Sequence, residues 1–493
     1  MKYLLLPLLT LTGACAAIPQ TDLASTTGQT AAYLQRIEAI DDRGPQLNAV
    51  IAINPNALRD AATAGLKDGP LAGKAVLVKD NIETLDPMAT TAGSLALKDN
   101  FTGRDAPLVA RMRAAGVVIL GKTNLSEWAN IRSTRSSSGW SAVGGQTKNP
   151  HALDRTPCGS SSGSGAAVAA GLAWAAIGTE TDGSITCPAS VNGIVGFKPT
   201  VGMVSRTHVV PISHSQDTPG PMATSVKDTA LLLTAIAGSD PADKATSRAD
   251  LHRTNFAAGL DTATLRGVRI GVLRKQAGNH ERLTLVFETA LADLRSAGAE
   301  LVEINTDFDN AMFDDEGTVL YFELREDLGA YLRSLPANPP IRSLADAIAF
   351  NNAHPEELRW FGQETFEKAE KTTDRAAYEK ARANSLRLAG KDGIDKLLAD
   401  HKIALLIAPT EGPAWVIDLV GGDHYTSIGA GSLAAIAGYP HLTVPMGAVD
   451  GLPVGLSFIG AAWDDKRVLE AGAAYERARS AKLPVAGLKR WGE

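Results

Sequence analysis

Hydrophobic and polar positions along this chain switch repeatedly between a helical and a strand-like period, a pattern that predicts an α/β protein. Apolar residues recur at helical spacing over residues 31–40, and residues 48–53 then take on strand character. Residues 55–65 predict a second helix, 74–79 a buried strand, 106–115 a helix and 117–120 another strand. Beyond about residue 308 the pattern becomes mostly helical and rich in Glu, Arg and Lys, and it stays so to about 401. We read this stretch as a helical excursion over one side of the sheet, its charges forming a solvated face. Strand patterning returns at 404–410, 441–445 and 452–460, which would close the same sheet. No internal repeat is evident.

The middle of the chain, residues 136–220, is dominated by Gly, Ser, Thr and Ala. A segment of that composition would form a flexible linker if it were polar throughout. Residues 166–177 are instead small and apolar and must pack in a core, as a helix from Ala166 and a strand up to Ile177. The neighbouring glycines and serines are therefore held against packed backbone. Gly-Ser segments pinned in this way are where active sites form.

Composition narrows the picture further. The chain has 493 residues, 44% of them hydrophobic and 21% charged, which fits a globular protein with a large core. A net charge of -6 and the lack of a Lys/Arg block argue against a nucleic-acid partner, so a small or neutral substrate is expected. The N-terminus reads as an export signal over residues 1–16: a positive Lys2, an apolar run at 4–11 too short to span a bilayer, and Ala14-Cys15-Ala16 as the small-x-small cleavage site. That predicts a periplasmic or secreted protein, with residues 21–493 as one domain behind a polar linker. Cys15 also resembles a bacterial lipoprotein site, so a lipid anchor stands beside simple removal. No later stretch reaches 18 uninterrupted apolar residues, so no membrane span is expected. For Cys158 and Cys187 two readings stay open, a disulfide in an oxidising compartment or two buried free thiols.

Three short segments carry candidate chemistry. Thr179-Glu180-Thr181-Asp182-Gly183-Ser184-Ile185 follows a buried strand, so a tight turn there would expose the Ser184 hydroxyl. Successive N–H groups around Gly183 can converge on one point, the geometry of an oxyanion hole made by the amides of Thr181, Asp182, Gly183 and Ser184. Cys158-Gly159-Ser160-Ser161-Ser162-Gly163-Ser164-Gly165 lies a helix and a strand earlier, a separation that can bring Ser160 beside Ser184. Lys79 ends an apolar strand, where desolvation would lower its pKa toward neutrality and make it a usable base. Taken singly, each segment also has an ordinary reading: a structural turn, a flexible loop, and a lysine reaching out to solvent.

Together the three segments, with the strand Gly193-Ile194-Val195-Gly196-Phe197-Lys198-Pro199-Thr200, resemble the amidase signature family over nearly the whole mature length. The resemblance implies a large twisted mixed β-sheet with helices on both faces. It also implies a Ser-cisSer-Lys triad at Ser184, Ser160 and Lys79, with a cis peptide bond at Ser160 and Ser161 steadying the loop. The implied reaction is amide hydrolysis through an acyl-enzyme. Many members of the family have Gly-Gly-Ser at the nucleophile, whereas this chain has Asp182-Gly183-Ser184. The wording from Thr179 to Pro188 is similar to the bacterial peptide amidase branch, which removes C-terminal amides from peptides. The alternatives within the family are a general aliphatic or aryl acylamidase and an amidotransferase-like subunit.

An α/β-hydrolase reading would place Ser161 in a Gly-x-Ser-x-Gly elbow, but Arg155-Thr156-Pro157 ahead of it is a turn, not the required strand. The nine histidines are scattered without metal-ligand spacing, and His208 and His214 read as ordinary polar loop residues. No metal is therefore expected, and the lack of a phosphate-binding glycine loop means that no nucleotide cofactor is expected either.

Overall fold

The computed structural model describes residues 25–336 and 339–493. The export signal at residues 1–16 and Cys15 therefore lie outside the described residues. The strands are β1 Val50–Ile53, β2 Ala75–Lys79, β3 Val118–Thr123, β4 Trp140–Ser141, β5 Gly145–Gln146, β6 Ala175–Glu180 and β7 Val195–Lys198, followed by β8 Thr218–Ala223, β9 Arg269–Leu273, β10 Glu300–Ile304, β11 Leu405–Pro409, β12 His441–Val449 and β13 Leu452–Ile459. Apart from the β4–β5 hairpin they form one sheet of 11 strands in the order β1-β3-β2-β6-β8-β7-β12-β13-β11-β9-β10. The sheet is mixed. β2 runs parallel to both β3 and β6, while β8, β7, β12 and β13 are successively antiparallel.

Alternation along β2 explains how both faces come to be covered. Val76 and Val78 pack on one side with Ile119, Ile177 and Phe197, under helices Pro107–Ala114, Val226–Ile236, Glu281–Ser296 and Asp465–Ala478. Ala75 and Leu77 face the other way and meet Val118, Leu120 and Ala176, together with Ala166 and Ala167 of helix Ser162–Ala169. Each fully buried Val or Leu contributes roughly 1.5–3 kcal/mol. Register is consequently well determined, because a one-residue slip would turn a whole face toward the wrong layer. The same alternation puts Lys79 on the Leu77 face, the side of the Gly-Ser segment.

The predicted helical excursion comprises helices Ala311–Ser334, Leu344–Ala353, Glu364–Lys371 and Arg375–Leu386, with Lys396–His401 closing it. Two of these helices start where short polar side chains cap them: Ser343 accepts from the Asp346 N–H and Asp374 from the Ala377 N–H. Leu324, Leu328, Leu332, Leu344 and Phe366 form a separate core that docks this region on Leu97, Trp128 and Val210.

β8, β9 and β10 have no counterpart among the predicted strands. β8 carries Pro219 and Pro221, residues that argue against a central strand. They lie opposite Thr179 and Ile177 of β6, while the ladder to β7 reaches only Met222 and Ala223. Their missing N–H groups thus cost no bond on the β7 side. β10 lies at the sheet edge and is only partly buried, which leaves its alternation weak.

Candidate active site

The site lies where β2 and β6 end beside the Gly-Ser segment. Lys79 is fully buried, and its Nζ donates to Ser160 Oγ at 2.7 Å, Thr179 Oγ1 at 2.9 Å and the Thr179 carbonyl at 3.2 Å. Burial pushes its pKa down to about 7, opposed by the nearby carboxylates of Asp217 and Glu180. An amine in that range is neutral for part of the time at neutral pH and can accept a proton. Asn81 donates from Nδ2 to the same Thr179 hydroxyl at 3.0 Å, so Thr179 joins two side chains from the β2 end.

Ser160 follows a cis peptide bond from Gly159. The segment is pressed tightly against its surroundings. A Cβ built on Gly159 would stand 2.1 Å from Ser126 Oγ, and one on Gly163 would stand 2.2 Å from the Ala49 carbonyl oxygen. Ser161 links this segment to β6 and to the following turn. Its hydroxyl donates to the Thr179 carbonyl and accepts from the Thr179 N–H, both at 3.1 Å, and its own N–H donates to the Ser184 carbonyl at 3.1 Å.

The turn that carries Ser184 passes through the left-handed region at Gly183, with φ of +74°, a conformation that costs glycine little. Among the described residues, none of the N–H groups of Thr181, Asp182, Gly183 and Ser184 donates a hydrogen bond. The next two N–H groups, Ile185 and Thr186, donate to Glu180 Oε2 at 2.7 and 3.0 Å, and the Thr181 hydroxyl donates to Asp217 at 2.6 Å. The turn is thus braced on both sides while its central donors stay free. Such an arrangement suits an oxyanion.

The Ser184 hydroxyl makes no hydrogen bond among the described residues and remains reachable by solvent, although the residue is only 8% exposed. The structure therefore joins Lys79 to Ser160 directly and ties Ser184 to the same segment through Ser161, without a Ser160–Ser184 hydroxyl bond. A disulfide spans the two segments: Cys158 and Cys187 are bonded at 2.01 Å with Cα atoms 6.0 Å apart. That decides between the two readings of these cysteines.

A cleft of about 850 Å³ opens over the turn. Gly159, Asp182, Gly183 and Thr186 form its floor, and Phe308, Met312, Phe313, Glu411, Tyr425 and Ile428 are among the residues of its walls. A second cavity, of about 450 Å³, is lined by Asn81, Thr179 and Thr181 and has His208 and His214 on its wall. His214 pairs with Asp327 at 2.9 Å, a hydrogen bond that raises its pKa. Glu323 beside it is already satisfied by the Tyr378 hydroxyl, the Ser213 and Ser215 hydroxyls and the Ser215 N–H.

Sequence reasoning gave no role to Asp217 or Glu411. Asp217 accepts from Thr181 and from the N–H groups of Ile212 and Ser213, and burial raises its pKa to about 6. Its only signal is a lone carboxylate inside a stretch poor in charge. Glu411 follows β11 at the opposite wall, where nothing in the sequence links it to Ser184.

Known proteins agree with this picture. The model of the family described as "Amidase" matches residues 29–469. A probable amidase of Arabidopsis thaliana is 40% identical over 465 residues, covering 91% of this chain and 86% of that protein. A subunit of the glutamyl-tRNA(Gln) amidotransferase of Roseiflexus castenholzii is 36% identical, with 91% of each chain covered. The crystal structure of native peptide amidase from Stenotrophomonas maltophilia superposes with a TM-score of 0.88 at 50% identity, covering 95% of this chain and 96% of that one. With the family matched over most of its length and the fold superposing on a peptide amidase over 95% of the chain, this chain belongs to the amidase signature family and is a hydrolase acting on amides.

Proposed function

We propose that this protein removes the C-terminal amide from peptides through an acyl-enzyme on Ser184, with Ser160 as proton relay and Lys79 as base. The observation that carries the reading is the fully buried Lys79 ammonium site, held near neutrality and bonded at 2.7 Å to the Ser160 hydroxyl. Neutral Lys79 takes the Ser160 proton as Ser160 takes the Ser184 proton, and Ser184 Oγ bonds to the amide carbon. The negative charge that forms on the carbonyl oxygen is met by the free N–H groups at positions 181–184. Collapse breaks the C–N bond, the relay returns its proton to the leaving nitrogen as ammonia, and water then hydrolyses the ester. The relay requires the Ser184 hydroxyl to meet Ser160 in the substrate complex, and catalytic hydrogen bonds commonly tighten at that stage.

Similarity at 50% identity to a peptide amidase supports the choice of substrate. The cleft supports it as well, since about 850 Å³ is room for a peptide end. Export also belongs to this reading. The Cys158–Cys187 disulfide favours an oxidising compartment such as the periplasm or the cell exterior. The test is a panel of amidated peptides, aryl anilides and short aliphatic amides assayed for ammonia or amine release. Peptide amides should lead, and turnover of anilides alone would overturn the substrate.

A further inference from the structure

We propose that Asp182 and Glu411 make the cleft selective for amides whose acyl part carries a cation on an apolar stem, as a lysyl or arginyl residue does. This rests on the reading of the cleft as the site of amide hydrolysis. The charged residues on the cleft wall are Asp182, Asp307, Glu411 and Lys275. Lys275 and Asp307 pair with each other. Asp182 and Glu411 are left, and neither forms an ion pair with any described residue.

Each carboxylate is held in place yet open to the cleft. Glu411 is 9% exposed, and its Oε1 accepts from the Gly412 N–H at 2.8 Å and the Thr426 hydroxyl at 2.7 Å. Its Oε2 stays reachable by solvent. Asp182 is steadied by a hydrogen bond with Ser432; the Glu180 carboxylate raises its charge cost, and the buried Lys198 ammonium, which forms no ion pair with it, offsets that cost only in part. Burial pushes both Asp182, to about 6, and Glu411 upward. An incoming cation would relieve that cost, because an opposite charge favours the ionised carboxylate. Phe308, Met312, Phe313 and Ile428 on the same walls suit the methylene stem of a long basic side chain.

The test compares kcat/KM for two N-acetylated dipeptide amides that differ only in a final lysinamide or norleucinamide. The wild type should favour the lysinamide by roughly tenfold to a hundredfold, the factor that one charge-assisted hydrogen bond carries. Glu411→Gln should shrink that ratio at least about fivefold, and Asp182→Asn should shrink it again. A wild-type ratio of one or less overturns the inference whatever the variants do, and so does an unchanged ratio in both variants. Hydrolysis of neither dipeptide amide would instead overturn the proposed substrate. Calorimetric binding of the same two compounds would then read the cation preference by itself, and equal affinities would overturn it.

Discussion

Replacing Lys79 by Met should make the protein more stable below pH 7 and less stable near pH 10. Methionine keeps the stem and removes the amine. The ammonium form is penalised in the fold, so the native pKa falls from the ordinary 10.5 to about 7. Between those values the unfolded chain holds a proton that the folded chain has lost, and stability rises with pH wherever the unfolded state binds more protons. The penalty is therefore complete below about pH 7 and gone above 10.5. At 1.36 kcal/mol per unit of pH, that penalty is about 5 kcal/mol. Against it stand the Nζ hydrogen bonds to Ser160 and Thr179, together about 3 kcal/mol at the usual net value of about 1 each. Lys79→Met should thus be about 2 kcal/mol more stable than wild type at pH 6 and about 3 kcal/mol less stable above pH 10. Urea unfolding of both proteins at pH 6, 8 and 10, followed by tryptophan fluorescence with unchanged slopes, measures the difference. Titrating groups that do not interact with Lys79 are shared and cancel. A gap that stays constant over this range would falsify a depressed Lys79 and with it the base.

The acidic limb of kcat/KM should fall near pH 7, since activity needs neutral Lys79, and Glu180→Gln should move it to lower pH because Glu180 holds the lysine pKa up; a limb that stays in place would separate it from Lys79. Ser160→Ala should lower kcat by about 10²–10⁴-fold, the range for loss of a positioned proton-transfer group, while thermal unfolding shows an intact fold. Activity within a few-fold of wild type in steady-state assays would remove the relay. Breaking the Cys158–Cys187 bond, whose ends are 29 residues apart, should cost about 3 kcal/mol of stability, read from urea midpoints of the Cys158→Ser, Cys187→Ser double variant. A midpoint equal to wild type would contradict this.

Much of the sheet is legible from periodicity because strands buried on both faces are continuous apolar runs. β2, β11 and β13 are examples, each lying within one residue of its predicted position. β8 is hidden because its prolines deny the usual signal, and it becomes a strand only once β6 supplies a long antiparallel partner. Within the site, Lys79 is visible as a charge that ends an apolar strand, and the glycines mark where backbone approaches backbone. The bracing carboxylates Asp217 and Glu180 are harder to find, since their role comes from tertiary closure: Asp217 reaches Thr181 only when β8 folds against β6. Glu411 is illegible for the same reason, being 227 positions from Ser184 along the chain and brought only by folding to the cleft that Asp182 and Gly183 also line.

The contacts at Gly159 and Gly163 leave no space for even one extra methyl group. A stretch that looks like a pliable tether by its letters is therefore among the least forgiving parts of the molecule toward substitution. The opposite wall of the cleft draws mainly on side chains of the 308–313 and 425–433 segments, which carry none of Lys79, Ser160 and Ser184. A lineage can acquire new tastes in substrate there while its bond-breaking apparatus stays unaltered.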